Sequence, residues 1–143
     1  MITQEIDHLT EHFYQSVCFS AEHYPNFDQL QELFYGSGKL INNNLEHPLD
    51  FTVQTFGHAI MAQIEAGEAD YFVQQEISDK TEIFGTMAQR ISVFEYSFIK
   101  DTPNWKRGVS YIQFICIKGK WLITSIIWSF EKEGVVIPEK YML

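Results

Sequence analysis

Residues 107–131 read RGVSYIQFICIKGKWLITSIIWSFE, and they carry the clearest structural signal in the chain. Two runs rich in β-branched and aromatic residues flank the polar tripeptide Lys-Gly-Lys at 118–120. Such runs around a short glycine-containing turn predict an antiparallel hairpin, with strands near 107–117 and 121–131. Both faces of each run are apolar, although an antiparallel strand that faces water on one side should alternate with polar residues. We therefore expect both faces of this hairpin to be covered.

Upstream of the hairpin, apolar residues recur at helical spacing. They predict a helix over the first twenty residues, a shorter one opened by Pro25 and Asn26, and a third over residues 50–65 with Asp50 as its N-cap. The N-terminal half of the chain is therefore predicted to hold three helices.

Strands are predicted between and after these helices. A short strand is expected at 39–42, and longer strands near 70–77 and 82–98 are expected on either side of a polar turn at 78–80. Three helices followed by an antiparallel meander predict an α+β domain whose helices cover one face of a curved, mostly antiparallel sheet. A chain of 143 residues is long enough for one such core, so we expect a single domain over residues 1–143.

The hairpin also resembles the final hairpin of bacterial nuclear transport factor 2-like proteins. Those often read RG-x-x-S-x-Q-hydrophobic, a Gly turn, and then W-x-I-x-S-hydrophobic-x-W. The matching residues here are Arg107, Gly108, Gln113, Trp121, Ile123, Ser125 and Trp128. Tyr111 stands where the pattern has its first serine. Residues 84–98, FGTMAQRISVFEYSF, look like the preceding strand G-x-x-A-x-hydrophobic-x-S-x-Y-E with its last two residues exchanged, and the ending PEKYML is also similar.

This resemblance covers nearly the whole chain and implies the cystatin-like, cone-shaped nuclear transport factor 2-like fold. That fold hosts ketosteroid isomerases, SnoaL-like polyketide cyclases, scytalone dehydratase, limonene epoxide hydrolase and many members without an assigned activity. A fold shared by so many chemistries does not name a reaction, so function has to be argued from the site.

Composition and charge narrow the possible partners. The formal net charge is −9, which opposes binding to a phosphate backbone, so we expect no nucleic-acid partner. No apolar run reaches the ~20 residues of a membrane-spanning helix, and the polar N-terminus lacks the pattern of an export signal. These features predict a cytoplasmic protein without a membrane partner. Cys18 and Cys116 match neither a redox pair nor a zinc spacing, and we expect no metal and no cofactor.

The resemblance implies where an isomerase-like catalytic set would lie. Tyr14 fits the position of the oxyanion-binding tyrosine on the first helix, and Gln113 falls near the place of the oxyanion-binding acid. The base position falls near Asn42, whose amide cannot take up a proton at neutral pH. His58 on the third helix could act as acid or base. Tyr14, His58 and Gln113 are therefore the catalytic candidates, with ordinary structural roles as the alternative for each.

The same three residues and three others are candidates for binding a ligand. Arg90 could hold an acidic group through its fork of donors, and Tyr111 and Trp128 could line a cavity. Core packing is the alternative for Trp128.

These observations favour a small-ligand-binding or accessory protein with an apolar cavity. A SnoaL-like isomerase, cyclase or dehydratase and a purely structural dimerisation module are the alternatives. The two-sided apolar hairpin predicts a homodimer through the sheet, because helices can cover only one of its faces. Coverage of the other face by a long loop or by the tail at 138–143 is the alternative to that dimer.

Overall fold

A computed structural model describes residues 2–143 of the chain. Its helices are α1 (Ile2–Val17), α2 (Phe27–Glu32) and α3 (Val53–Glu65). Its strands are β1 (Leu40–Asn42), β2 (Leu49–Phe51), β3 (Val73–Phe84), β4 (Met87–Ser97), β5 (Lys106–Ile117) and β6 (Lys120–Phe130). A short 3₁₀ helix, Glu139–Met142, lies near the C-terminus.

All six strands form one mixed sheet in the order β2-β1-β6-β5-β4-β3. Strand β1 runs parallel to β6, and every other neighbouring pair is antiparallel. The predicted α+β class is confirmed. Two helices, α1 and α3, exceed seven residues, whereas α2 has only six, so the prediction of three N-terminal helices is confirmed only for its two longer members.

The helix starts follow the local capping chemistry. Asn26 caps α2, since its side chain accepts a hydrogen bond from the Gln29 backbone N–H at 3.0 Å. The predicted N-cap of α3 is wrong, because Asp50 lies in β2. Thr52 caps the helix instead, in a reciprocal capping box with Thr55 that satisfies two backbone donors.

The turn predicted at residues 78–80 is also wrong. Strand β3 continues through this segment, with a bulge between Glu76 and Ser78. The chain reverses at Gly85 and Thr86, where Gly85 has a φ of +60°. A glycine at the first position of a two-residue loop suits the primed turns that match strand twist.

The hairpin formed by β5 and β6 is confirmed, and its turn is tighter than predicted. Lys118 and Gly119 both have positive φ, at 52° and 82°, as a type I′ turn requires. Lys120 already belongs to β6. A register shift beside Gln113 leaves Thr124 as the extra residue of a bulge, and such bulges bend a strand.

Helix α1 packs against one face of the sheet, which we call the inner face, and this contact builds the core. The fully buried side chains there include Ile6, Leu30, Leu40, Phe94, Ile112, Ile123 and Ile126. Each fully buried aliphatic or aromatic side chain contributes roughly 1.5–3 kcal/mol, so the core is a main source of stability.

The opposite, outer face of the sheet is covered in part by the C-terminal tail. The Ser78 hydroxyl donates to the Tyr141 carbonyl at 2.8 Å, and the hydroxyls of Tyr111 and Tyr141 lie 2.7 Å apart. Val93, which pairs with Ser78 on this face, is fully buried. The tail therefore covers the middle of the outer face.

Candidate functional site

A recess of about 200 Å³ lies between α1, α3 and the inner face of the sheet. Most of its lining is apolar, and this part comprises Phe13, Val17, Phe19, Phe56, Ile60, Phe72, Phe94, Phe98, Ile126, Trp128 and Phe130. The aromatic side chains meet edge to face or tilted, as in the pair Phe56 and Trp128, whose ring centroids lie 5.9 Å apart. An apolar pocket with few polar groups is the usual form of a small-molecule site.

Five polar residues complete the lining: Tyr14, Asn42, Gln63, Gln74 and Ser110. Tyr14 and Ser110 are almost completely buried, with exposed fractions of 2% and 1%. Because burial disfavours the phenolate, the pKa of Tyr14 is raised above its ordinary value. Tyr14 is therefore a neutral hydroxyl at physiological pH.

A network of buried polar groups runs from Tyr14 into β3 and β4. The Tyr14 hydroxyl lies 2.8 Å from the Ser92 hydroxyl, and Ser92 donates to Glu76 Oε2 at 2.5 Å. Glu76 in turn accepts two hydrogen bonds from Arg90. Nε donates to Oε2 at 3.0 Å, and Nη2 donates to Oε1. The recess is thus connected to a buried ion pair.

Arg90 is held by further acceptors on the far side of this network. Its Nη1 donates to Asp7 Oδ1 at 2.8 Å, and its Nη2 lies 3.2 Å from Asp79 Oδ1. Burial opposes the charge on Arg90, but the hydrogen bonds that Arg90 donates to Glu76 and Asp7 outweigh this effect and raise the Arg90 pKa. Arg90 does not line the recess. Its guanidinium is occupied by carboxylates of its own chain.

Two of the predicted site residues, Tyr14 and Trp128, line the recess. The others lie elsewhere. His58 is exposed on α3, while Tyr111 and Gln113 are exposed on the outer face, where Gln113 accepts from Ser125 at 3.3 Å. Tyr14, His58 and Gln113 therefore do not meet, and the geometry gives no support to a catalytic set made of these three.

Asn42 lies in the recess, at the position that the resemblance implied for a base. Its Oδ1 accepts from both the backbone and the side-chain amide of Asn44, at 3.0 and 2.8 Å. This leaves its NH₂ as the group that could meet a ligand. An amide donor at this place can bind but cannot abstract a proton.

Ser110, Gln63 and Gln74 line the recess without having been predicted from the sequence. Ser110 could have been found from strand alternation, since it shares a face with the buried Ile112 two residues later. Gln63 and Gln74 carried no comparable signal, because each is an ordinary polar residue next to exposed positions.

Within residues 2–143, no three His, Cys, Asp or Glu side chains converge in a way that could hold a metal ion. None of the helices in this part of the chain is long and apolar enough to cross a bilayer.

No protein-family model matches the chain, and no curated protein matches it with significant similarity. Solved structures match it over most of their length. A cystatin-like protein of unknown function from Nostoc punctiforme superposes with a TM-score of 0.70 at 14% identity, covering 90% of each chain. A nuclear transport factor 2-like protein of unknown function from Pseudomonas putida gives 0.67 at 12% identity, over 94% of this chain and 92% of that one.

The chain has the nuclear transport factor 2-like fold. A third such protein of unknown function, from Shewanella oneidensis, gives a TM-score of 0.61 at 17% identity, covering 90% of this chain and 99% of its own. The fold implied by the hairpin at 107–131 is thereby confirmed. Because these nuclear transport factor 2-like neighbours are of unknown function, the likeness carries the fold and no reaction.

Proposed function

We propose that this protein binds a small apolar molecule in the recess between α1, α3 and the inner face of the sheet. The observation that supports the proposal is a largely aromatic lining that includes two buried hydroxyls, those of Tyr14 and Ser110. An apolar cavity of about 150 Å³ in another protein holds benzene, so a recess of about 200 Å³ suits a molecule of one or two rings.

Binding without catalysis fits the composition of the lining. Within residues 2–143, no carboxylate or histidine side chain lines the recess. Glu76, two hydrogen bonds away from Tyr14, is occupied by Arg90. A SnoaL-like isomerase, cyclase or dehydratase would need an acid or base within reach of the bound molecule, so it is the less supported alternative.

Native mass spectrometry of the purified protein, with mild activation to release bound molecules, tests the proposal. We expect a reproducible small apolar adduct on the wild type. Ile60→Trp should fill the recess from α3 and abolish the adduct, because an indole occupies much of the space of a small ligand. Gln54→Trp places the same indole at an exposed position of α3 and should leave the adduct intact.

A wild type that stays empty, both as purified and after incubation with one- and two-ring compounds, would contradict the binding proposal. That result would favour the structural module instead. An adduct that persists in Ile60→Trp would place the molecule outside the recess.

We also propose that the chain forms a homodimer through the part of the outer face that the tail leaves open. Phe84 and Met87 are 78% and 57% exposed there, and Ile115 pairs with Met87 in the same patch. Apolar groups exposed side by side on one sheet face are typical of an interface between subunits.

The cytoplasmic location expected from the sequence stays a prediction.

Sedimentation velocity tests the dimer. The wild type should sediment as a dimer, and Met87→Lys should shift it to the monomer by placing a charge in the patch. Tyr24→Lys is the matched control, since Tyr24 is 63% exposed on the loop before α2. A wild-type monomer at high micromolar concentration would refute the interface.

A further inference from the structure

The Asn44 side chain is oriented by the end of strand β6. The Phe130 backbone N–H donates to Asn44 Oδ1 at 2.6 Å. A backbone N–H can only donate, so the atom that it meets has to be the amide oxygen of Asn44. The NH₂ group of Asn44 is therefore available to Asn42, whose Oδ1 lies 2.8 Å away.

Asn44 in turn orients the amide of Asn42. Its backbone N–H and its side-chain NH₂ both donate to Asn42 Oδ1, at 3.0 and 2.8 Å. Because the backbone N–H can only donate, the oxygen of Asn42 is the atom that faces Asn44. Within residues 2–143, no acceptor is hydrogen-bonded to the Asn42 NH₂ group. The chain thus holds this donor in one orientation and leaves it without a partner.

The position of Asn42 in the sheet brings its side chain to the recess. Asn42 lies two residues after the fully buried Leu40, so both side chains belong to the inner face. It pairs with Trp128 of β6, which also lines the recess, and Trp128 pairs with Ser110 of β5. Two strand spacings of about 4.8 Å therefore separate Asn42 from Ser110. The Asn42 NH₂ group is a donor separate from the Ser110 hydroxyl.

The other polar groups of the lining are less suited to recognise an acceptor. Gln74 directs its NH₂ group to the Tyr14 backbone carbonyl, 3.5 Å away. Gln63 is exposed on α3, where water can bind its amide. The Ser110 hydroxyl is buried, but a hydroxyl can both donate and accept and so does not discriminate. Asn42 is the residue that presents an oriented donor.

The charge of the lining narrows the ligand further. Within residues 2–143, no Lys, Arg, His, Asp or Glu side chain lines the recess. An ionised group that enters this lining would lose its hydration without gaining a counter-ion. A neutral group that accepts a hydrogen bond, such as a carbonyl, is the chemical match of an amide NH₂ group in apolar surroundings.

We propose that the recess binds neutral ring compounds that carry a carbonyl group, and that Asn42 donates a hydrogen bond to the carbonyl oxygen. This inference rests on the proposed function, that the recess holds a small apolar molecule. Asn42 determines specificity, and Asn44 is a positioning residue that acts through Asn42. Without the Asn42 donor the carbonyl would be buried unpaired, which weakens binding.

Indanone and indane are suitable probes, because they share one ring system and only indanone has an acceptor. Isothermal titration calorimetry of the full-length protein measures both dissociation constants. Asn42→Leu should weaken indanone binding about fivefold to tenfold, the ratio that corresponds to one net hydrogen bond, and should not weaken indane binding. Asn43→Leu is the matched control, since Asn43 lies beside Tyr111 on the outer face and its substitution should leave both constants unchanged.

Infrared spectroscopy of bound, ¹³C-labelled indanone tests the hydrogen bond itself. In the wild type we expect the carbonyl stretch at a lower frequency than in cyclohexane. It should return to the cyclohexane value in Asn42→Leu and keep the wild-type value in Ser110→Ala. Asn44→Ala leaves the Asn42 amide unoriented, so it should weaken the binding of indanone and not that of indane.

The outcomes separate this inference from the proposed function. If both compounds bind and Asn42→Leu leaves the indanone constant unchanged, or if Ser110→Ala alone shifts the carbonyl stretch, the assignment to Asn42 is overturned and the binding function stands. If neither compound binds at millimolar concentration and the protein also purifies empty, both proposals fail. Should Asn42→Leu not fold, Asn42→Asp at pH 8 keeps the acceptor for Asn44, removes the donor and decides the matter in its place.

Discussion

The hydroxyls of Tyr14 on α1 and Ser92 on β4 lie 2.8 Å apart, although 78 positions separate the two residues in the sequence. Both side chains are buried, with exposed fractions of 2% and 0%. The contact joins the first helix to the inner face of the sheet beside the recess. Since Ser92 donates its one proton to Glu76, Ser92 accepts and Tyr14 donates in the contact between them.

Ser92→Ala should destabilise the fold more than Tyr14→Phe. The alanine leaves the buried Tyr14 proton without an acceptor, which costs about 1–3 kcal/mol. The phenylalanine removes that proton together with its oxygen and leaves Ser92 bound to Glu76, so we expect a loss of only about 0.5–1.5 kcal/mol. Urea unfolding followed by circular dichroism measures both values. Equal losses, or the reverse order, would mean that Ser92 donates to Tyr14.

Arg90→Met should be among the most destabilising substitutions in the chain. The Arg90 side chain is 2% exposed, and its removal leaves Glu76, which is 20% exposed, without its cation. Breaking a buried ion pair from one side costs roughly 3–5 kcal/mol. Thermal and urea unfolding of the variant give the loss in stability.

Two further variants serve as controls for the Arg90→Met measurement. Asp7→Asn removes an Arg90 partner that is 47% exposed and should cost less than about 1 kcal/mol. Combining Arg90→Met with Glu76→Gln should recover part of the loss, because no charge is then left buried alone. A double variant less stable than Arg90→Met would show that Glu76 acts mainly through Ser92.

The Arg90 network also explains why one strand boundary could not be predicted from the sequence. Residues 78–80 are polar, a pattern that predicts a turn. In the fold, Asp79 and Thr81 are partners of Arg90, at 3.2 Å each, on the inner face. A polar strand face that pairs with a buried charge lacks the alternation that identifies strands. The hairpin at 107–131 was predictable because its strands are apolar and its turn has glycine.

Residues of the candidate site were predictable from the sequence only where they lie on a helix or strand whose apolar face is clear. Tyr14 lies among the apolar positions of α1, and Trp128 lies on an apolar strand, so both reach the recess. His58 follows the buried Gly57, yet one step along a helix turns a side chain by about 100° and places it in solvent. The face of Gln113 depends on strand register, which the local sequence does not give.

The C-terminal tail should loosen in acid. The Ile137 backbone N–H donates to Glu131 at 2.9 Å, and Arg107 pairs with the same carboxylate at 3.0 Å. These contacts lower the pKa of Glu131 below its ordinary value of 4.5, the Ile137 hydrogen bond contributing most. A lowered pKa stabilises the folded tail above pH 4.5, and this stabilisation is lost as the pH falls through the lower, folded-state value.

Hydrogen exchange of the tail amides as a function of pH measures this effect. Once corrected for intrinsic rates, exchange in wild-type residues 135–143 should increase as the pH falls below 4.5. Glu131→Gln should give faster exchange at neutral pH, and its difference from the wild type should shrink on acidification. A difference that stays constant with pH would show that the charge on Glu131 does not hold the tail.

Gly108→Ala should disturb both stability and the recess. A Cβ at position 108 would lie 2.6 Å from the Phe94 ring, and Phe94 lines the recess. That separation is too short for two carbon atoms, so the ring has to move within a packed core, which costs about 1–3 kcal/mol. Phe94 also packs against the Tyr14 ring, with centroids 5.6 Å apart, so the shift reaches the Tyr14 side chain in the lining of the recess.

Gly57→Ala provides the comparison for Gly108→Ala, because its Cβ would meet the Phe27 ring at 3.2 Å, away from the recess lining. We expect Gly57→Ala to cost less, since alanine favours a helix interior over glycine by about 1 kcal/mol and offsets the close contact. Ligand affinity, measured by calorimetry on both folded variants, should fall in Gly108→Ala and remain at the wild-type level in Gly57→Ala. Unchanged affinity in Gly108→Ala would mean that Phe94 does not shape the binding site.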